Sequence, residues 1–201
     1  MDAYKTIKEP VENFLYKEKA SKFIGFAYPV DSEAAIKERL AAVRSLHTKA
    51  THHCYAYRLG LDKNNYRTHD DGEPNGTAGK PIIGQMDSLG ITNCLIIVVR
   101  YFGGTKLGVS GLIDAYKETA KETLAAATFI ERKILDYYTI TCDYTFINRA
   151  FQIIHKLHGV IIRQEIDNTV LFLIGIEQDK SRVLEKELSE QQFPFQFVER
   201  K

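Results

Sequence analysis

A chain of 201 residues with 44% hydrophobic and 26% charged side chains has enough apolar material for one domain or two small ones, which excludes intrinsic disorder. No apolar run approaches the ~20 residues that span a bilayer, and the N-terminal MDAYKTIKEPVE lacks the apolar centre of a signal peptide. The formal net charge of +1 excludes global basicity as a pointer to nucleic acid.

Residues 4–16 and 22–30 place apolar side chains in strand fashion. Asp31 or Ser32 offers an N-cap for a helix to about His47, with Ala35, Ile36, Leu40, Val43 and Leu46 as its apolar stripe. HHCYAYRLGL (52–61) reads as a strand, DKNN as a turn and 66–69 as a returning strand. A glycine-rich loop follows, and Pro81 suits the first turn of a short helix ending near Gly90. Residues 94–102 form a central strand, and a second glycine loop leads into a helix over about 111–128.

From Ile134 the pattern becomes regular: a strand at 134–144, a helix at 148–157 ended by Gly159, then strands at 160–166 and 169–176 joined at Asp167-Asn168. Asp179 or Ser181 caps a helix to about Gln192, and a short strand closes at 195–198. This βαββαβ order is the ferredoxin-like pattern, so the chain reads as α+β with two domains, 1–133 and 134–201. The first carries 19 Lys+Arg against 16 Asp+Glu and the second 8 against 10, an asymmetry that allows a basic patch in the first domain. Cys54, Cys94 and Cys142 are odd in number, far apart and within apparent strands, which suits reduced thiols in a cytosol.

Nine of the 13 glycines fall between Gly72 and Gly111, around the strand 94–102. Two glycine loops flanking a buried strand point to a site built largely from backbone. The first, DDGEPNGTAGKP, lacks the GxxxxGK[ST] spacing but carries Thr77 and Lys80 into a helix N-terminus that favours an anion. Asp71 and Glu73 beside them match no calcium-loop spacing. The second, RYFGGTKLGVSG, sets Arg100 and Lys106 around Gly103-Gly104, with Tyr101 and Phe102 between; cations interleaved with aromatics clamp phosphates and stack bases. The plainer reading makes Phe102 core and pairs Arg100 with an acidic neighbour. His52 and Cys54 share a strand face but lie roughly 6–7 Å apart, beyond hydrogen-bond reach, and Ser110 does not fit GxSxG. The expected ligand or anion site is therefore Asp71, Glu73, Thr77, Lys80, Arg100, Gly103, Gly104 and Lys106, with His52 and Tyr101 secondary. No catalytic residue, metal or cofactor is expected.

THHCYAY, DDGEPNGTAGKPI and CLIIVVRYFGGTKLG, followed by GLIDAY, closely resemble the IMPACT family, in particular its bacterial YigZ-like two-domain members, and the resemblance covers essentially the whole chain. It departs at GVSGLIDAY, where Ser110 replaces a glycine and Asp114 a basic residue. The resemblance implies a first domain of the ribosomal protein S5 domain 2-like fold, with helices on one face of a mixed sheet. It implies a ferredoxin-like second domain similar to domain V of elongation factor G. Eukaryotic members are linked to translational control. The function expected is that of a cytoplasmic, non-enzymatic binding protein of translation, contacting RNA, ribosome or a translation factor through the glycine loops, without a membrane. The alternative is an enzyme acting on a small phosphorylated or anionic ligand at the same loops.

Overall fold

A computed structural model describes residues 3–62 and 64–201. The chain divides into two compact units, one running Lys5–Glu131 and the other Arg132–Lys201 with the short segment ahead of Lys5. In chain order the elements are β1 (Ala3–Ile7), β2 (Val11–Glu18), β3 (Ser21–Pro29), α1 (Glu33–Leu46), β4 (His52–Arg58), β5 (Tyr66–His69), α2 (Gly79–Leu89), β6 (Cys94–Tyr101) and α3 (Gly108–Ala125). Then come β7 (Phe129–Lys133), β8 (Leu135–Cys142), α4 (Ile147–Lys156), β9 (Val160–Ile166), β10 (Val170–Glu177), α5 (Ser181–Glu190) and β11 (Phe195–Arg200).

The first unit is built on a five-stranded sheet in the order β2-β3-β6-β4-β5. Its core is CLIIVVRY, an apolar run without alternation, as expected of a strand covered on both faces. Leu95, Ile97 and Val99 meet Ile36 and Val43 of α1, whereas Cys94, Ile96 and Val98 meet Ile82 and Met86 of α2 and Leu112, Tyr116 and Leu124 of α3. Each of these strand side chains is fully buried, contributing about 1.5–3 kcal/mol by removal from water. This corrects two expectations. Helices cover both faces, not one, and the sheet is not mixed: every neighbouring pair is antiparallel. The α1 crossover joins β3 to β4, and β6 fills the place between them.

Elsewhere the local chemistry sets the boundaries. The extended segment expected over 4–16 is two strands, β1 and β2, parted at Lys8–Pro10, where Pro10 has no N–H to give a ladder. Ser32 caps α1 by accepting the Ala35 N–H at 3.3 Å. The short β1 pairs with β7, a strand concealed in sequence behind the alanine-rich end of α3. Lys8 N–H donates to the Thr128 carbonyl at 2.8 Å, and the Lys5 ammonium sits 4.6 Å from the Phe129 ring centre.

The second unit follows the order β8-α4-β9-β10-α5-β11, its sheet running β11-β8-β10-β9 with all neighbours antiparallel. Alternate residues of β8 and β10 (Tyr138, Ile140, Phe172, Ile174) pack against Ile153 and Ile154 of α4 and Leu184 and Leu188 of α5. Asp136, a buried carboxylate, is bonded by the Ser181 hydroxyl at 2.6 Å and by the Arg200 guanidinium. Among the described residues no helix is long and apolar enough to cross a membrane.

Candidate functional site

On β6 the even positions face α2 and α3, and Arg100 is the last of them. It lies opposite Phe23 of β3 in the strand register, with its guanidinium 5.4 Å from the Phe23 ring centre and 5.5 Å from that of Phe102. The residue is only 5% exposed and cannot remain buried without a counter-charge. Glu73, from the first glycine loop, supplies it: Arg100 Nη1 donates to Glu73 Oε1 at 2.6 Å, and the Tyr116 hydroxyl of α3 donates to the same oxygen at 2.8 Å. Arg100 Nη2 reaches the Ser21 hydroxyl at 3.4 Å, while Arg100 Nε is buried without a partner.

Tyr116 extends this polar path to β4. Cys54 Sγ lies 3.3 Å from the Tyr116 hydroxyl and 2.9 Å from the Asp70 carbonyl. Burial pushes the Cys54 thiol well up, and burial together with Cys54 and Glu73 pushes the Tyr116 phenol up. Both are therefore held protonated and serve as hydrogen-bonding parts of the frame.

The aspartates hold the first loop in shape. Asp70 accepts the N–H groups of Gly76, Ala78 and Gly79 at 2.8–3.0 Å, thereby capping α2 from nine residues upstream of Gly79. Burial acts to raise its carboxyl, but those three donors outweigh burial and hold it below the usual carboxylate range. Asp71, in the left-handed region at φ 45°, accepts the His53 N–H at 2.7 Å and pairs with Arg44 at 3.2 Å. Burial lowers the His53 imidazole, with Asp71 acting in the opposite sense. In the second loop, a Cβ on Gly103 would lie 2.1 Å from the Ala20 carbonyl carbon, so only glycine permits that backbone approach.

Between the loops lies a cavity of about 440 Å³. Glu73 and Arg100 form its floor, and Pro74, Phe102, Leu107, Val109 and Leu112 its largely apolar walls. Lys106 lines it at the entrance to α3, whose first turn has no side-chain cap. Phe102 and Val109 are 47% and 59% exposed.

The structure thus brings Glu73, Arg100 and Lys106 of the expected set to one cavity, with His52 Nε2 3.7 Å from Glu73 Oε1. The others lie apart from it. Asp71 belongs to the Arg44–His53 side of the loop. Thr77 is buried and donates to the Pro74 carbonyl at 2.7 Å, and the Lys80 stem runs past Gly76. Gly104, at φ 87°, turns the second loop in open space. Tyr101 faces α1, where its hydroxyl meets His47 Nδ1 at 2.9 Å, so Phe23 rather than Tyr101 flanks Arg100. Sequence reading passed over Tyr116, Ser21 and the capping role of Asp70. Tyr116 sits four residues after Leu112 on the buried stripe of α3, and that spacing was the available signal. Among the described residues no group of three or more His, Cys, Asp or Glu side chains could hold a metal ion.

Comparison with known proteins bears on the family and the fold. The family model of the Impact N-terminal domain matches residues 19–124, which carry the five-stranded sheet from β3 onward and both glycine loops. The Bacillus subtilis IMPACT family member YvyE is 30% identical over 190 residues, covering 94% of this chain and 87% of its own. The Escherichia coli member YigZ is 34% identical over 164 residues, 81% and 80% of the two chains. A crystal structure of a hypothetical protein superimposes at a TM-score of 0.80 with 29% identity, over 99% of this chain and 98% of the other.

Proposed function

This chain belongs to the IMPACT family, and from that premise we propose that it is a non-enzymatic binding protein of translation, contacting RNA, ribosome or a translation factor through the glycine-loop face of its first domain. The observation that carries the reading is how the loops spend their polar groups. Asp70 caps α2, Asp71 holds His53 and Arg44, and Glu73 holds Arg100 and Tyr116, while Phe102, Lys106 and Val109 stay on the surface around the cavity. A rigid, internally paired frame presenting one aromatic ring, one cation and an uncapped helix end suits recognition. The translational part rests on what family membership implies. The same reading takes 1–133 and 134–201 as the two domains and places the protein in the cytoplasm.

The test is cosedimentation with ribosomes, and direct binding to structured RNA, across a salt series. Phe102→Ala and Lys106→Glu are the informative variants because both positions are exposed, whereas Arg100→Glu would set two buried carboxylates against each other. Expected is saturable binding that weakens with log salt and falls at least tenfold in Lys106→Glu. A wild-type protein that binds neither target at low salt, or variants that bind as well as wild type, would refute the reading. The size of the cavity and Lys106 beside it favour, secondarily, an enzyme of small phosphorylated or anionic ligands; that reading expects thermal stabilisation by such a ligand.

A further inference from the structure

We infer that the cavity between the glycine loops captures the carboxyl-terminal residue of a protein chain, one with a large apolar side chain. The inference rests on the reading of this face as the contact surface and names what the face recognises.

The polar groups on the cavity floor are already paired with one another. Glu73 Oε1 already receives Arg100 and Tyr116, and both Arg100 Nη atoms are engaged. What the walls add is the side chains of Phe102, Leu107, Val109 and Leu112. A nucleobase would carry several edge donors and acceptors into that space without partners, each at a desolvation cost. An aliphatic or aromatic side chain has no such groups to strand. The lining therefore selects an apolar body.

Charge selects what that body must carry. Lys106 and the uncapped first turn of α3 give the cavity one cationic end. Arg100, 5% exposed, lines the same cavity from its floor and retains a buried Nε–H without a partner. The only carboxylate in the lining, Glu73, is neutralised by its ion pair with Arg100. An anionic group is thus complemented at that end.

Spacing then identifies the anion as a chain terminus. The cationic end and the apolar wall lie on consecutive turns of one segment, from Lys106 through Leu112, and Gly108 to Leu112 rises only about 6 Å along α3. A carboxylate within ~6 Å of its own apolar side chain describes a terminal residue, whose α-carboxylate branches from the same carbon. An acidic side chain on the adjacent residue of an extended chain points to the opposite face. Capture of a terminal carboxylate by backbone N–H groups is an established mode of peptide recognition.

The test titrates the full-length, ¹⁵N-labelled protein with acetyl-Gly-Gly-Leu-Phe bearing a free carboxyl terminus, with its carboxamide, with free phenylalanine and with adenosine monophosphate. Expected is saturable movement of the Phe102, Lys106, Gly108 and Val109 amides by the acid, with the carboxamide at least tenfold weaker. Lys106→Ala should bring the acid down to the affinity of the carboxamide, and Phe102→Ala should weaken both. The inference is overturned if acid and carboxamide bind equally, if adenosine monophosphate displaces the peptide, if free phenylalanine binds as tightly as the peptide, or if the peptide moves nothing at millimolar concentration. Persistence of Lys106-dependent ribosome or RNA binding beside a silent peptide would sink this inference and leave the contact-surface reading standing. Silence in both assays would sink the two together.

Discussion

Breaking the Glu73–Arg100 pair is the sharpest test of how the glycine loops are held. At 2.6 Å and an effective dielectric near 20 the two charges attract by ~6 kcal/mol, and desolvation of both offsets much of that. Arg100→Met removes the partner and leaves a Glu73 side chain only 4% exposed, with the neutral Tyr116 hydroxyl as its remaining close donor. Uncompensated charge of this kind costs about 3–5 kcal/mol. Glu73→Gln keeps an acceptor for the guanidinium but loses the charge, costing about 2–3 kcal/mol. The double variant strands no charge, so it should lie within about 2 kcal/mol of wild type, a coupling of at least about 3 kcal/mol. Urea denaturation followed by far-UV circular dichroism reads this, with two transitions expected from the two units. Only that of the first unit should shift, since Asp136 and its partners anchor the other. A loss below 1 kcal/mol in Arg100→Met, or single losses that simply add in the double variant, would refute the reasoning.

Asp70→Asn should cost about 1–3 kcal/mol at pH 7, because three N–H groups of the first loop and the start of α2 lose their anionic acceptor. The folded Asp70 carboxyl is depressed, so its contribution is present above the unfolded value near ~3.9 and lost as pH falls through the folded one. The gap between wild type and Asp70→Asn should therefore close in acid, and a gap constant down to pH 2 would count against the cap. Gly103→Ala should destabilise by at least ~2 kcal/mol, because its Cβ meets the Ala20–Ser21 backbone. Gly104→Ala, in open space but at positive φ, should cost only about 1 kcal/mol; equal losses at the two positions would contradict the close approach. Burial pushes the Cys94 thiol up to about 12 and that of Cys54 further, so a disulfide reagent at pH 8 should label either only as fast as the chain unfolds. Rapid labelling of Cys54 in the folded protein would show the polar path to be open.

The frame of both units was legible where hydrophobic pattern decides structure. The unbroken run of β6 announced a buried central strand, and the regular alternation after Ile134 yielded the βαββαβ order. What escaped was set by pairings between residues distant in sequence. β7 hides after a stretch of good helix formers, and its strand character comes from β1, more than a hundred residues earlier. Asp70 looked like one of three loop carboxylates because its cap lies across a folded turn from the helix it serves. Glu73 and Arg100 were both singled out, yet their pairing, 27 residues apart, is decided by where β6 ends and how the first loop returns to it. Tyr101 followed its neighbours by adjacency, whereas strand pleating sends it to the opposite face.

The β1–β7 ribbon makes the first unit a closed parcel. Its incoming and outgoing segments are neighbouring strands, clasped by the Lys8–Thr128 bond and separated by roughly one interstrand spacing of ~5 Å. A parcel whose two ends emerge side by side can be spliced into a surface loop of a host chain, entering and leaving through adjacent points, without stretching its own sheet. It can equally be cut at a distant loop tip and rejoined at the clasp as a circular permutant. The cavity between the glycine loops would travel intact in either rearrangement, because every residue that lines it lies between Glu73 and Leu112, well inside the clasp.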